Sequence, residues 1–161
     1  DRTSRGLGDV YKRQGNKSEM AVGYSTLYGD LAGGFALIKD LYKSKVYELS
    51  NYRNSISEVI PKDIITKEPS AELRPNQLDT DSLPDYEVLD KILNLYIEQD
   101  SSSEKIIATG IQPDLVYDVL EKVDRNEYKR KQVAPGVKLT QKAFGKDRRM
   151  PITNTYIRQK E

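Results

Sequence analysis

Apolar residues recur at helical spacing in two stretches of the chain, and these anchor the predicted fold. Between Asp85 and about Gln99, Val88, Leu89, Ile92, Leu93 and Tyr96 fall at i, i+1, i+4, i+5 and i+8. That is the stripe of a helix burying one face. A second stripe, Leu115, Val116, Val119, Leu120 and Val123, follows Pro113. Proline suits a first helical turn, where its missing N–H would be unpaired anyway. Leu89, Ile92, Leu93, Val116, Val119 and Leu120 are the expected core.

Elsewhere the pattern is weaker. Asn16 and Ser18 are good N-cap residues, and Glu19 falls in the first turn of a predicted helix carrying Met20, Ala21, Tyr24 and Leu27. The glycines of 29–34 end it in a loop. Another helix is predicted from Asp40 to about Asn54, with Val46, Leu49 and Tyr52 on one face. Pro61, Pro69, Pro75 and Pro84 then punctuate a long irregular segment. A short helix after Ser103 closes at Gly110, and the tail from Val133 reads as loop with short extended pieces. The pattern is mostly helical, with little that could make a sheet alone.

The first fourteen residues, DRTSRGLGDVYKRQ, show neither helical period nor strand alternation. Residues 4–14 also match one frame of an adapter used in preparing sequencing libraries. Residues 1–14 are therefore expected to be translated adapter, disordered and packed against nothing, with the fold proper occupying 15–161.

Composition removes whole classes of chemistry. The chain has no Cys and no His, which excludes disulfides, thiolate zinc sites, Cys nucleophiles and His-based catalysis within it. Carboxylates, lysines, arginines, hydroxyls and a hard metal ion remain. The net charge of +1 argues for neither nucleic acid nor membrane. No apolar run is long enough to span a bilayer and no signal peptide is visible, so a cytoplasmic location is expected. Charge is unevenly spread: 129–149 holds eight Lys/Arg against one acid, while 71–100 holds eight acids against two Lys/Arg. Such blocks read either as solvated surface or, for the basic one, as an anion site.

Four segments together carry a resemblance: GNKSEMAVGYSTLYGD at 15–30, KEPSAELRPNQLDTDSLPDYEVLD at 67–90, EYKRKQ at 127–132 and PGVKLTQKAFGKDRRMPIT at 135–153. In this order and spacing the chain resembles the NAD synthetase family, on the side of its glutamine-dependent branch. The resemblance implies the C-terminal, mostly helical part of a Rossmann-like α/β domain of the ATP-pyrophosphatase (adenine nucleotide α-hydrolase-like) kind. It also implies an ATP-dependent ligase using Mg²⁺. The carboxylate of deamido-NAD would be adenylated by ATP, and ammonia from a glutaminase domain would then displace AMP. Assembly as a homo-oligomer follows from the same resemblance.

Matched by motif, Glu19 is implied as magnesium and nucleotide contact, Lys43 as an ATP-phosphate lysine and Ser70 as an ATP contact. Glu19, Tyr24, Ser25, Thr26, Leu27, Asp30 and Lys129 are implied at deamido-NAD. Each has a plainer reading beside it. Glu19 could be a capping carboxylate, Tyr24 and Leu27 core residues, Lys43 and Lys129 solvated lysines, and Ser70 a helix cap. The chain also departs from the family pattern. Gln14 stands where an ATP-contacting Thr is usual, and Leu27 and Gly34 replace the Lys and acid of the ammonia-using branch.

The family's Ser-Gly-Gly-x-Asp-Ser pyrophosphate loop and its Glu, Lys and Cys glutaminase residues have no counterpart in the sequence. The chain is accordingly expected to be an incomplete enzyme, inert by itself, with no catalytic residue assigned within it. Two other readings stand beside this one: another ATP pyrophosphatase of the GMP or asparagine synthetase type, and a non-catalytic helical oligomerisation module.

Overall fold

The computed structural model describes residues 12–13, 15–27, 29, 31–70 and 78–153. Nearly all the regular structure is helical: α1 (Lys17–Val22), α2 (Lys43–Ile56), α3 (Lys62–Thr66), α4 (Tyr86–Leu93), α5 (Ser103–Ile107), α6 (Pro113–Arg125) and α7 (Glu127–Arg130). Two strands, β1 (Lys12–Arg13) and β2 (Phe35–Ala36), pair in parallel with Lys12 opposite Phe35 and Arg13 opposite Ala36. Helix α1 lies between them in sequence, giving a short β–α–β order.

The β1 pairing departs, at Lys12 and Arg13, from the expectation that residues 1–14 pack against nothing. A ladder uses only backbone N–H and C=O groups, so it forms on any extended segment whatever its side chains. Residues 1–11 and 14 lie outside the described residues.

The two amphipathic stripes form the core. Leu89, Ile92, Leu93, Val116, Val119 and Leu120 are fully buried, as are Ala21, Ile97, Ile106 and Val123, and Val22, Tyr42 and Tyr96 are nearly so. Helix α4 ends earlier than its apolar period suggests. At Asn94 the chain widens into a π-turn through Glu98, closed by Gln99 N–H to the Asn94 carbonyl at 3.2 Å. One extra residue in a turn re-aims the side chains that follow. Here Tyr96 and Ile97 face inward, and the Tyr96 hydroxyl donates to Asp124 Oδ1 at 2.7 Å.

Three other expectations are corrected. The first helix stops at Val22 because Gly23 adopts a left-handed φ of 71°, so Tyr24 and Leu27 lie beyond it. Helix α2 starts at Lys43, not Asp40, and buries none of its residues. Its Leu49 and Tyr52 are exposed, as are Ile56, Val59 and Ile64 nearby. Finally, the proline-punctuated stretch is less irregular than expected. Pro61 leads into α3, and residues 79–81 form a 3₁₀ turn.

Candidate active site

Helix α1 is short and held at both ends. The Asn16 side chain accepts the Glu19 N–H at 3.0 Å, and Glu19 Oε2 accepts the Asn16 N–H at 3.2 Å, a reciprocal capping box. Glu19 therefore does act as a cap, but with one oxygen only. Its Oε1 faces Lys43 Nζ at 3.1 Å, with each side chain about one-fifth exposed (20% and 21%).

Lys43 is placed by groups far from it in sequence. No side chain of α2's own first turn caps that helix. Instead its Lys43 N–H donates to Ser18 Oγ at 2.9 Å and its Ser44 N–H to Asp90 Oδ2 at 2.9 Å. Ser18 in turn donates to Asp90 Oδ1. One buried carboxylate thus joins α1, α2 and α4, sited where the dipole of α2 favours negative charge. Burial raises the Asp90 carboxyl above its ordinary value, and its Ser18 and Ser44 hydrogen bonds only partly offset this.

Two tyrosine rings complete the surroundings of Lys43 Nζ. Tyr86 lies 5.3 Å away and Tyr47 6.0 Å, centroid to nitrogen. The Tyr86 hydroxyl donates to Asp79 Oδ2 at 2.7 Å, and the Asp79 N–H donates to the Pro69 carbonyl at 2.9 Å. Ser70, half-buried, follows Pro69 directly. Glu19 and Lys43 thus meet directly, and Ser70 is connected to them through Pro69, Asp79 and Tyr86.

The second group of residues gathers at the other end of α1. Lys129 Nζ donates to the Gly23 carbonyl at 2.6 Å and the Ser25 carbonyl at 3.0 Å. It is committed to this turn rather than solvated. The Ser25 hydroxyl is buried and has no hydrogen-bond partner among the described residues, an oxygen in need of a donor or acceptor. Tyr24 follows, its N–H on the Glu19 carbonyl at 2.8 Å, and packs against the core while lying close enough to Tyr86 to influence its ionisation. Thr26 is exposed and Leu27 half-buried. Asp30 lies outside the described residues.

Sequence reasoning passed over Asp90, Asp79 and Tyr86, and read Ser18 as an N-cap of its own helix, whereas its hydroxyl accepts the first N–H of α2. A signal existed for Asp90, which stands four residues after Tyr86 and three before Leu93. It thus interrupts an otherwise apolar face with a charge that needs partners. Asp79 carried no comparable mark. Lys17 was also unremarked, yet it is wholly buried beside Asp40 and Glu98 at the start of α1.

Among the described residues no group of three or more acidic side chains is placed to hold a metal ion. Of the acids described around Lys43, Glu19 has its side chain about one-fifth exposed, whereas Asp79 and Asp90 are buried. No helix among the described residues is long and apolar enough to cross a membrane.

Comparison with known proteins agrees with these motifs. The NAD synthase family profile matches residues 8–133. The glutamine-dependent NAD(+) synthetase of Aquifex aeolicus is 59% identical over 143 residues, covering 89% of this chain and 25% of that protein. That of Thermotoga maritima is 58% identical over 155 residues, covering 95% and 27%. The chain therefore spans about a quarter of the length of the curated relatives it matches. A crystal structure of a glutamine-dependent NAD(+) synthetase from Cytophaga hutchinsonii shares the fold at a TM-score of 0.63 and 20% identity, over 89% of this chain and 24% of that one. The four motif segments, the helical architecture and the matched family profile converge: the chain belongs to the NAD synthase family.

Proposed function

We propose that this chain supplies part of the ATP and deamido-NAD site of a glutamine-dependent NAD synthetase, within a Rossmann-like ATP-pyrophosphatase domain. The observation that carries this reading is the partly exposed Glu19–Lys43 pair at 3.1 Å, joining α1 to α2. Two side chains 24 positions apart are held together by a buried capping system instead of by chance surface contact.

In the reaction, a carboxylate oxygen of deamido-NAD attacks the α-phosphorus of ATP. The bond to the bridging oxygen breaks and its electron pair leaves with pyrophosphate. Ammonia then adds to the acyl carbon, and AMP departs. The first step brings an anion towards a polyanion, so cations near the phosphates lower its barrier. Lys43 offers such a point charge, and Ser70 offers a neutral donor. Lys129, by bridging the carbonyls of Gly23 and Ser25, shapes the turn on which deamido-NAD would rest.

Magnesium fits this residue set in one way. It habitually takes one or two carboxylates together with phosphate oxygens and water, and Glu19 can serve as that single carboxylate. When bound it would neutralise charge on the triphosphate. Ammonia from a glutaminase domain and a cytoplasmic location belong to the same reading. So does a homo-oligomer, for which the exposed Leu49, Tyr52 and Ile56 of α2 offer a surface. Sedimentation of a Leu49→Lys variant unchanged from wild type would remove that surface from consideration.

The test is pyrophosphate release from ATP and deamido-NAD without ammonia, in the full-length enzyme carrying this segment. Lys43→Ala is expected to lower that rate by about 10²–10³-fold, as for loss of one preorganised charge contact. Glu19→Gln is expected to raise the magnesium concentration required. Wild-type behaviour in both variants would reduce the pair to a helix cap and a surface lysine.

A further inference from the structure

Asp79 is a carboxylate placed where a carboxylate is expensive. It is 4% exposed, its Oδ2 accepts the Tyr86 hydroxyl, and its Oδ1 has no hydrogen-bond partner among the described residues. Desolvation acts on both oxygens while only one is compensated by a described residue. Its backbone is tied as tightly. The N–H donates to the Pro69 carbonyl at 2.9 Å, and the carbonyl accepts from Ser82 N–H at 3.1 Å and Leu83 N–H at 2.9 Å. Asp79 therefore cannot shift to improve its own solvation. What it does is hold one phenol.

That phenol is the flank of Lys43. The Tyr86 ring stands 5.3 Å from Lys43 Nζ, on a site shared with Glu19 Oε1 at 3.1 Å and the Tyr47 ring at 6.0 Å. A lysine stem has four rotatable bonds, and an ammonium left to solvent samples many of their rotamers. A ring face fixed beside it narrows that set. A phenol donating to a carboxylate is also a more electron-rich partner for a cation. Burial, foremost, and then the bond to Asp79 raise the Tyr86 phenol above its ordinary 10.0, so it remains a donor throughout the working range.

We propose that Asp79 and Tyr86 are positioning residues that aim the Lys43 ammonium at the phosphates of ATP and tie it to the Pro69–Ser70 segment. The proposal rests on the ATP-site reading above and goes beyond it. It names a relay, Pro69 to Asp79 to Tyr86 to Lys43, through which the two separated ATP contacts keep a common geometry. Neither Asp79 nor Tyr86 need touch the nucleotide.

The experiment is steady-state pyrophosphate release by the full-length enzyme carrying this segment, titrated separately with ATP and with deamido-NAD. Tyr86→Phe keeps the ring and its packing but removes the bond to Asp79. It is expected to raise KM for ATP about tenfold, the order of one hydrogen bond to a charged group. KM for deamido-NAD and the melting temperature should stay near wild type. Asp79→Asn, which retains an acceptor for the phenol, should cause a smaller rise. In a Lys43→Ala background Tyr86→Phe should add nothing, because its effect runs through that lysine. A KM for ATP within twofold of wild type in Tyr86→Phe, or a full additional penalty in the Lys43→Ala background, would overturn the relay and leave the ATP site standing. An unchanged rate of pyrophosphate release together with an unchanged KM for ATP in Lys43→Ala alone would remove both. Should Tyr86→Phe fail to fold, Asp79→Asn carries the same comparison.

Discussion

Lys17 and Asp40 form an ion pair at 3.1 Å in which the two side chains are 0% and 2% exposed. Lys17 Nζ also donates to Glu98 Oε1 at 3.0 Å, to Thr140 Oγ1 at 2.5 Å and to the Lys142 carbonyl at 2.9 Å, and lies 4.9 Å from the Tyr42 ring. Asp40 accepts the backbone N–H groups of Leu139 and Thr140, both at 2.7 Å. Removing one member of such a buried set is more damaging than its net worth, because the rest are left charged and dry. The cluster pins the tail across the N-terminal end of α1, two residues from Glu19.

Asp40 gives this cluster a pH dependence of known sign. Burial alone would raise its carboxyl. The Thr140 and Leu139 N–H donors, with the Lys17 ammonium, outweigh that and hold it below the ordinary 3.8. A carboxyl depressed in the folded state adds stability that is complete above the unfolded value and is lost as pH falls through the folded one. Urea midpoints should therefore drop steeply below about pH 4, and Asp40→Asn should flatten that part of the curve. Asp90, shifted upward, acts in the opposite sense, so an Asp90→Asn comparison separates the two. An acid limb unchanged by Asp40→Asn would show that Asp40 does not hold the tail.

The stripe residues make a quantitative claim. Leu93 and Leu120 are both 0% exposed within one cluster. Truncation to alanine at either should cost about 2–5 kcal/mol, the range for buried leucines whose cavities collapse incompletely. Denaturant unfolding monitors it. A loss below about 1 kcal/mol would mean that α4 and α6 do not share a core.

Gly23 is required for two reasons at once. Its φ of 71° is one an L side chain rarely adopts, and an added Cβ would lie 2.1 Å from Asn126 Cγ. Asn126 cannot easily yield, since its amide donates to the Val22 carbonyl at 3.0 Å and the Lys122 carbonyl at 2.7 Å. Gly23→Ala should cost at least about 1–2 kcal/mol from conformation alone, and more from the displaced Asn126. Proton exchange at the Tyr24 amide would report it. Wild-type protection there would show that the helix end tolerates another conformation.

How far the sequence could carry this depended on the range of each interaction. Leu89, Ile92 and Leu93 were readable because a helical stripe is a local pattern, repeated every three or four residues. Glu19 was readable as a first-turn acid for the same reason. Family resemblance, not pattern, implied Glu19 and Lys43 at one nucleotide, and their ion pair with each other was not legible in either. The Val46, Leu49 and Tyr52 face of α2 misled, because periodicity records which residues share a face and not whether anything covers it. Asp90 and Lys17 stayed out of view because their partners are distant. Asp90 receives Ser44 across 46 positions and Ser18 across 72. The end of α1 at Gly23 was missed although the glycine was visible, since a lone glycine inside a helical pattern is often tolerated.

The Lys17 cluster has a consequence for the order in which the chain can become native. The contact between Lys17 and Thr140 closes a loop of 123 positions, nearly the span of the described chain. During synthesis, α1 exists long before its last counter-groups do. Until residues 139–142 arrive, the Lys17 ammonium must stay hydrated, and α1 cannot settle into its final place against the core. Contacts of such separation form late and slow the approach to the native state. The helix carrying Glu19 is thus made 123 positions before Thr140 and is finished only once Thr140 arrives.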